Sequence, residues 1–164
     1  MISTLPIVAR DHHERLMRHV DQLPAIGDSI GSASMADLRR EVNETATFMS
    51  GLLVPHMEAA ERTIYPELER LLQNRHSMAP MRREHAAVRR LLSELLHIRE
   101  QLDREQLSNG DAFALRRILF NLYALLKIHL AEEQLYVAMI EHGISADAGA
   151  ALAAAMEHAG IAES

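Results

Sequence analysis

The 164-residue chain has no cysteine and no tryptophan, and Lys127 is its only lysine. Without thiols, disulfides, zinc–thiolate sites, iron–sulfur clusters and thiol nucleophiles are all excluded. Aromatics are scarce at 4%, whereas hydrophobic residues reach 48%. Leu, Ala and Met must therefore fill most of the core, which suits helices packed on helices. Positive charge is also short. The formal net charge of −6 argues against a nucleic-acid partner, whose backbone needs a basic surface. Long apolar runs are missing, because Arg117, Lys127 and His129 break the longest candidate, so no membrane partner is expected. Met1 to Arg10 shows no leader pattern, and a reducing cytoplasm fits the absence of cysteine.

What the chain has instead is helical periodicity and ten histidines. The pattern predicts an all-α fold, an up-down four-helix bundle over residues 1–143 followed by an alanine-rich tail over 144–164. The first helix is expected from Ile2 to Leu23, stopped by Pro24. The second starts at an Ser34 N-cap and runs to Gln73, bent by Pro66 inside it. The third runs from Ser77 and Pro80 to Leu107, and the Ser108–Asp111 turn leads into a fourth that reaches Glu141 and stops at Gly143. Within the tail, Ser145 to Ala159 is expected to form a short fifth helix across the bundle. A weak internal repeat supports the bundle. His13, Leu16, Val20 and Leu23 share their spacing with His85, Val88, Leu92 and Leu95, and a second histidine follows each set by 43 or 44 residues, at His56 and His129.

Phase then singles out one histidine on the apolar face of each helix. His13 lies in the stripe of Leu5, Ala9, Leu16 and Val20, and His56 follows Met49, Leu52 and Leu53. His85 sits between Met81 and Val88, and His129 follows Leu122, Leu125 and Leu126. An unpaired imidazole in a dry core is costly. Four that converge make sense if a metal takes their lone pairs. Glu133, four residues after His129, shares its face, as does Tyr136. On the second helix the same offset from His56 is Ala60. Glu61 comes one residue later, about 140° round an ideal helix from His56. It reaches the centre only if its side chain bends back or a local π turn rotates it inward. Either Glu61 completes the site as a ligand, or Ala60 leaves a gap and Glu61 holds a ligating histidine from outside. His12 rivals His13 for the first-helix position. The zinc-protease helix pattern fails at Met17, and Glu94 to His97 is the only Glu-x-x-His, where ferritin-like sites need two.

These residues resemble the hemerythrin-like, or HHE cation-binding, family. The resemblance is carried by Asp11-His12-His13-Glu14-Arg15-Leu16, by Pro55-His56 through Glu61 to Ile64-Tyr65-Pro66, by Glu84-His85, and by His129 with Glu132-Glu133. It implies an oxo- or hydroxo-bridged di-iron centre held by His13, His56, His85, His129 and Glu133; Glu61, one residue off the family position, is this chain's own candidate for the remaining carboxylate. It also implies a small diatomic or peroxide partner: O₂, nitric oxide or peroxide. Two positions depart from the family pattern. Ala60 stands where an acid is usual, and Arg89 stands where oxygen carriers have a second third-helix histidine. Fewer protein ligands leave open coordination positions. The first functional reading is reaction with these small molecules; the others are iron holding or delivery, and a metal-free helical interaction module.

Overall fold

In a computed structural model, residues 5–104 and 107–143 are described, with side chains over 11–104 and 107–140. The described residues are helical with no strand among them. The expected fifth helix of the tail lies outside them.

Helix α1 (Leu5–Val20) ends three residues before the expected stop, and α2 (Leu23–Ser29) restarts at once with Pro24 in its first turn. That position suits proline, whose missing N–H would be unpaired there anyway. Gly31 then turns the chain at φ +97°, a conformation that costs glycine little. Ser34 caps α3 (Met35–Phe48), its Oγ accepting the Asp37 N–H at 3.1 Å.

From α3 to Leu71 the chain forms one segmented rod. A π turn (Met49–Leu53) leads into α4 (Val54–Ala59), and a second π turn (Ala60–Ile64) into α5 (Tyr65–Leu71). Sequence periodicity places one distortion here, at Pro66; the structure has two, each in the five residues ahead of a helix whose second residue is proline. Proline lacks the N–H for an i→i−4 bond and crowds that carbonyl. Widening the preceding turn to i→i−5 bonds accommodates it: Val54 N–H reaches Met49 O, and Tyr65 N–H reaches Ala60 O. Helix α6 (Ala79–Asp103) follows, and Arg39 donates to the Leu102 carbonyl at its end from Nε (3.2 Å) and Nη2 (3.0 Å). Helix α7 (Asn109–Gly143) begins at a Ser108 cap, whose Oγ accepts the Asp111 N–H at 3.1 Å.

Helices α1, α2, α5 and α6 pack against α7, and α3 packs on α6. Two apolar clusters result. The larger gathers Leu16, Leu53, Met57, Val88, Leu126 and Leu130, among others. The smaller holds Ala60, Ile64, Tyr65, Leu68, Met78, Met81, Val137 and Ile140. His56, His85 and Glu133 each fall, along their own helices, between residues of the two clusters. A polar layer is thus sealed by hydrocarbon on both sides. None of the described helices is long and apolar enough to cross a membrane.

Candidate metal centre

His12, His13, His56, His85, His129 and Glu133 are all buried. Such groups are expensive to bury without partners, so their contacts are decisive. They form two sets. In the first, His13 Nε2 donates to Glu133 Oε2 at 3.1 Å and His56 Nε2 donates to the same oxygen at 2.8 Å. Oε1 of Glu133 is buried with no partner, and so is Nδ1 of His13. One atom from each of His13, His56 and Glu133 can be chosen so that all lie within 4.8 Å of one another. Burial alone would raise the Glu133 carboxyl, but the rings of His56 and His13 outweigh it and hold the group well below the usual carboxylate range.

In the second set, Nε2 of His85 approaches Nε2 of His129 to 3.1 Å. Each ring is held from behind. His85 Nδ1 donates to Glu61 at 2.6 Å, and His129 Nδ1 donates to Glu84 at 2.8 Å. With both Nδ1 protons committed to carboxylates, the facing Nε2 atoms present lone pairs. Burial lowers the His85 pKa to about 4, so His85 itself is not an imidazolium near neutrality. Tyr65 donates its hydroxyl to His85 Nε2 at 3.0 Å. Burial raises the tyrosine pKa, with Glu133, Glu61 and Glu84 adding to it, and this keeps the proton on the phenol.

These observations fit a bound cation. A buried carboxylate has one oxygen without a partner, and among the described residues its ion-pair partners are two imidazoles. Two further imidazoles turn lone pairs toward each other. Imidazole nitrogen and carboxylate oxygen together suit iron and other first-row metals.

Residues 8–108, more than half of the chain, match the hemerythrin HHE cation-binding domain. The chain belongs to that family. No curated protein and no solved structure matches it. The matched span of this HHE domain holds His13, His56 and His85; His129 and Glu133 lie beyond it on α7, and the fold brings them to the other three. His13, and not His12, joins Glu133. His12 Nδ1 accepts from Arg15 at 3.3 Å, and burial, then the neighbouring His56 and His13, lower its pKa to about 3. Glu61 accepts from His85 Nδ1 at 2.6 Å and from Arg89 at 3.1 Å. Tyr136, expected on the His129 face, is half-buried against the smaller cluster.

Two residues named only as part of the family pattern have contacts that helical phase does not predict. Glu84 acts across helices, on His129, so spacing within α6 does not flag it. Tyr65 lies nine residues after His56, about 180° away on an ideal helix. The intervening π turn inserts one residue into the helical count and rotates Tyr65 inward. A π turn ahead of a proline was the available signal.

Proposed function

We propose that this HHE domain is a non-haem di-iron protein, built on an up-down four-helix bundle, that binds or reacts with O₂, nitric oxide or peroxide. The observation that carries the reading is Glu133, a buried carboxylate shared by two imidazoles with its second oxygen unpartnered. On this reading His13, His56, His85, His129 and Glu133 would hold the iron, the four imidazoles supplying nitrogen donors and Glu133 a carboxylate. Bound iron supplies redox chemistry and open positions at which a small molecule can coordinate.

The chain's own groups prepare that site. Glu61 and Glu84 fix the rings of His85 and His129 so that Nε2 is the ligating atom. Tyr65 keeps a proton at its hydroxyl, 3.0 Å from the centre's edge at His85 Nε2. The two apolar clusters exclude bulk water. Ala60 carries no acid, and Arg89 is engaged with Glu61, so neither fills a coordination position.

Anaerobic reconstitution with ferrous iron should load about two irons per chain, with charge-transfer absorbance in the near ultraviolet after oxidation. Adding nitric oxide or peroxide should then change the visible spectrum. His56→Ala and Glu133→Ala should each lose most of the iron while keeping helical circular dichroism, since burial of the Leu and Met stripes holds the bundle. A chain that takes up no iron, or variants that keep all of it, would overturn the proposal.

A further inference from the structure

The Tyr65 hydroxyl and a bound metal compete for one lone pair. Tyr65 is fully buried, and among the described residues its hydroxyl has one hydrogen-bond partner, Nε2 of His85 at 3.0 Å. That nitrogen carries a single lone pair, because Nδ1 of the same ring gives its proton to Glu61. The lone pair can accept the Tyr65 proton or bind a metal, and not both. Loading a metal on His85 therefore strips a buried hydroxyl of its partner, which is costly unless something replaces it.

The charge of the donor set is also low. The buried donors are the imidazoles of His13, His56, His85 and His129, uncharged as ligands, and one carboxylate, Glu133. Glu61 and Glu84 stand one ring further out, behind His85 and His129, and are partly exposed. A cation of charge two or three in a dry core needs more anion close to it. The position in helical phase with His56 is Ala60, which brings only a methyl. Tyr65 is one π turn further on: its N–H bonds the Ala60 carbonyl, and the two side chains share one apolar cluster.

We infer, on the iron reading above, that Tyr65 is itself a metal ligand, its phenolate oxygen binding ferric iron beside Nε2 of His85 and of His129. The spacing of the three atoms suits this. Bonds of about 2.1 Å, usual for nitrogen and oxygen donors on first-row metals, set neighbouring donors about 3.0 Å apart when they meet at right angles. Tyr65 Oη and His129 Nε2 lie 3.0 and 3.1 Å from His85 Nε2. In the metal-free chain the phenol keeps its proton, since burial, then Glu133, Glu61 and Glu84, disfavour another negative charge. A ferric ion at bonding distance reverses that balance, as bound cations do for water and thiols. In the exchange the phenol O–H bond breaks, the iron–oxygen bond forms, and the proton leaves to water; no electron moves. A ferrous ion carries less charge and leaves the phenol protonated. Tyr65 thus favours the ferric state over the ferrous one.

The test uses the full chain, loaded anaerobically with ferrous iron and then oxidised with O₂. Ferric phenolates absorb in the visible. The oxidised chain should show such a band before any other small molecule is added, with tyrosine ring modes enhanced in its resonance Raman spectrum. Tyr65→Phe keeps the ring and removes only the oxygen. The variant should keep its helicity and its ferrous affinity but lose the visible band. It should hold ferric iron at least about 100-fold less tightly, at or beyond the limit for a residue that only orients a ligand. A 100-fold loss confined to the ferric form raises the one-electron reduction potential by about 120 mV, at about 59 mV per tenfold. Tyr123→Phe and Tyr136→Phe, at the other two tyrosines, should leave the band in place. An oxidised, iron-loaded wild-type chain without the band overturns the ligand, as does a Tyr65→Phe variant that keeps either the band or the wild-type potential. A wild-type chain that takes up no iron removes the centre, and this ligand with it.

Discussion

Glu61 offers the sharpest test of how the centre is built, because its two possible roles differ in magnitude. Its Oε1 accepts from His85 Nδ1 at 2.6 Å and from Arg89 at 3.1 Å, and the side chain is partly exposed. Burial pushes its pKa up, but the His85 and Arg89 hydrogen bonds prevail and hold it below the usual range, so it is a carboxylate at neutral pH. Replacing it with Gln keeps an acceptor and removes the charge. Charged hydrogen bonds contribute about 1.5–3 kcal/mol and neutral ones about 0.5–1.5, so Glu61→Gln should cost about 1 kcal/mol, roughly fivefold in iron affinity. Glu61→Ala frees the imidazole to rotate and should cost about 10- to 100-fold, the range for losing the partner that orients a ligand. Solvent screening at a partly exposed site favours the lower end. Glu84→Ala, acting on His129, should match it. His56→Ala should remove binding far more completely. The assay is anaerobic competition for ferrous iron against a chelator, with circular dichroism to confirm the fold. If Glu61→Gln lost as much iron as His56→Ala, Glu61 would be a ligand. If Glu61→Ala lost none, it would not orient His85. Either result refutes the reasoning.

The metal-free chain should lose stability on acidification. His12 and His85 have folded pKa values of about 3 and about 4, against 6.5 unfolded, so between these limits only the unfolded chain takes up the protons. Stability therefore falls as pH drops from 6.5 toward 4, and below 4.5 Glu133, whose folded pKa is depressed, adds to the loss in the same direction. Urea unfolding midpoints that stay flat from about pH 7 to about pH 5 would contradict this. Ser34→Ala removes the N-cap of α3 and should cost about 1 kcal/mol, or about 2–4 °C in unfolding temperature for a domain of this size. Calorimetry showing no change would mean that the Asp37 N–H is satisfied without the cap.

The helices and the inward histidines were legible because both depend on local period. Ser34 and the Ser108 turn mark real ends, whereas Pro24, expected as a stop, lies in the first turn of α2; His13, His56, His85, His129 and Glu133 are buried where phase puts them. The sequence was silent where period fails or where contacts cross helices. Val20 and Leu23 belong to separate helices, although one apolar stripe runs through both. Tyr65 and Glu61 follow a break in phase that depends on how the rod relieves its prolines. Glu84 reaches a histidine 45 positions away, and no count along one helix reports that.

The π turn at Ala60–Ile64 has a consequence for comparing chains of this family. A π turn holds one residue more than the α-helical turn it replaces, so it is the structural trace of a single-residue insertion. Removing one residue there should restore an α-helix and still leave Tyr65 facing His85, whereas substituting residues in place should not move it. Distance along the chain after His56 is therefore elastic by one. A relative without the extra residue would present its counterpart of Tyr65 eight residues after its histidine, where this chain presents it nine residues after. An alignment that forbids a gap inside a helix would then score the pair as different sites.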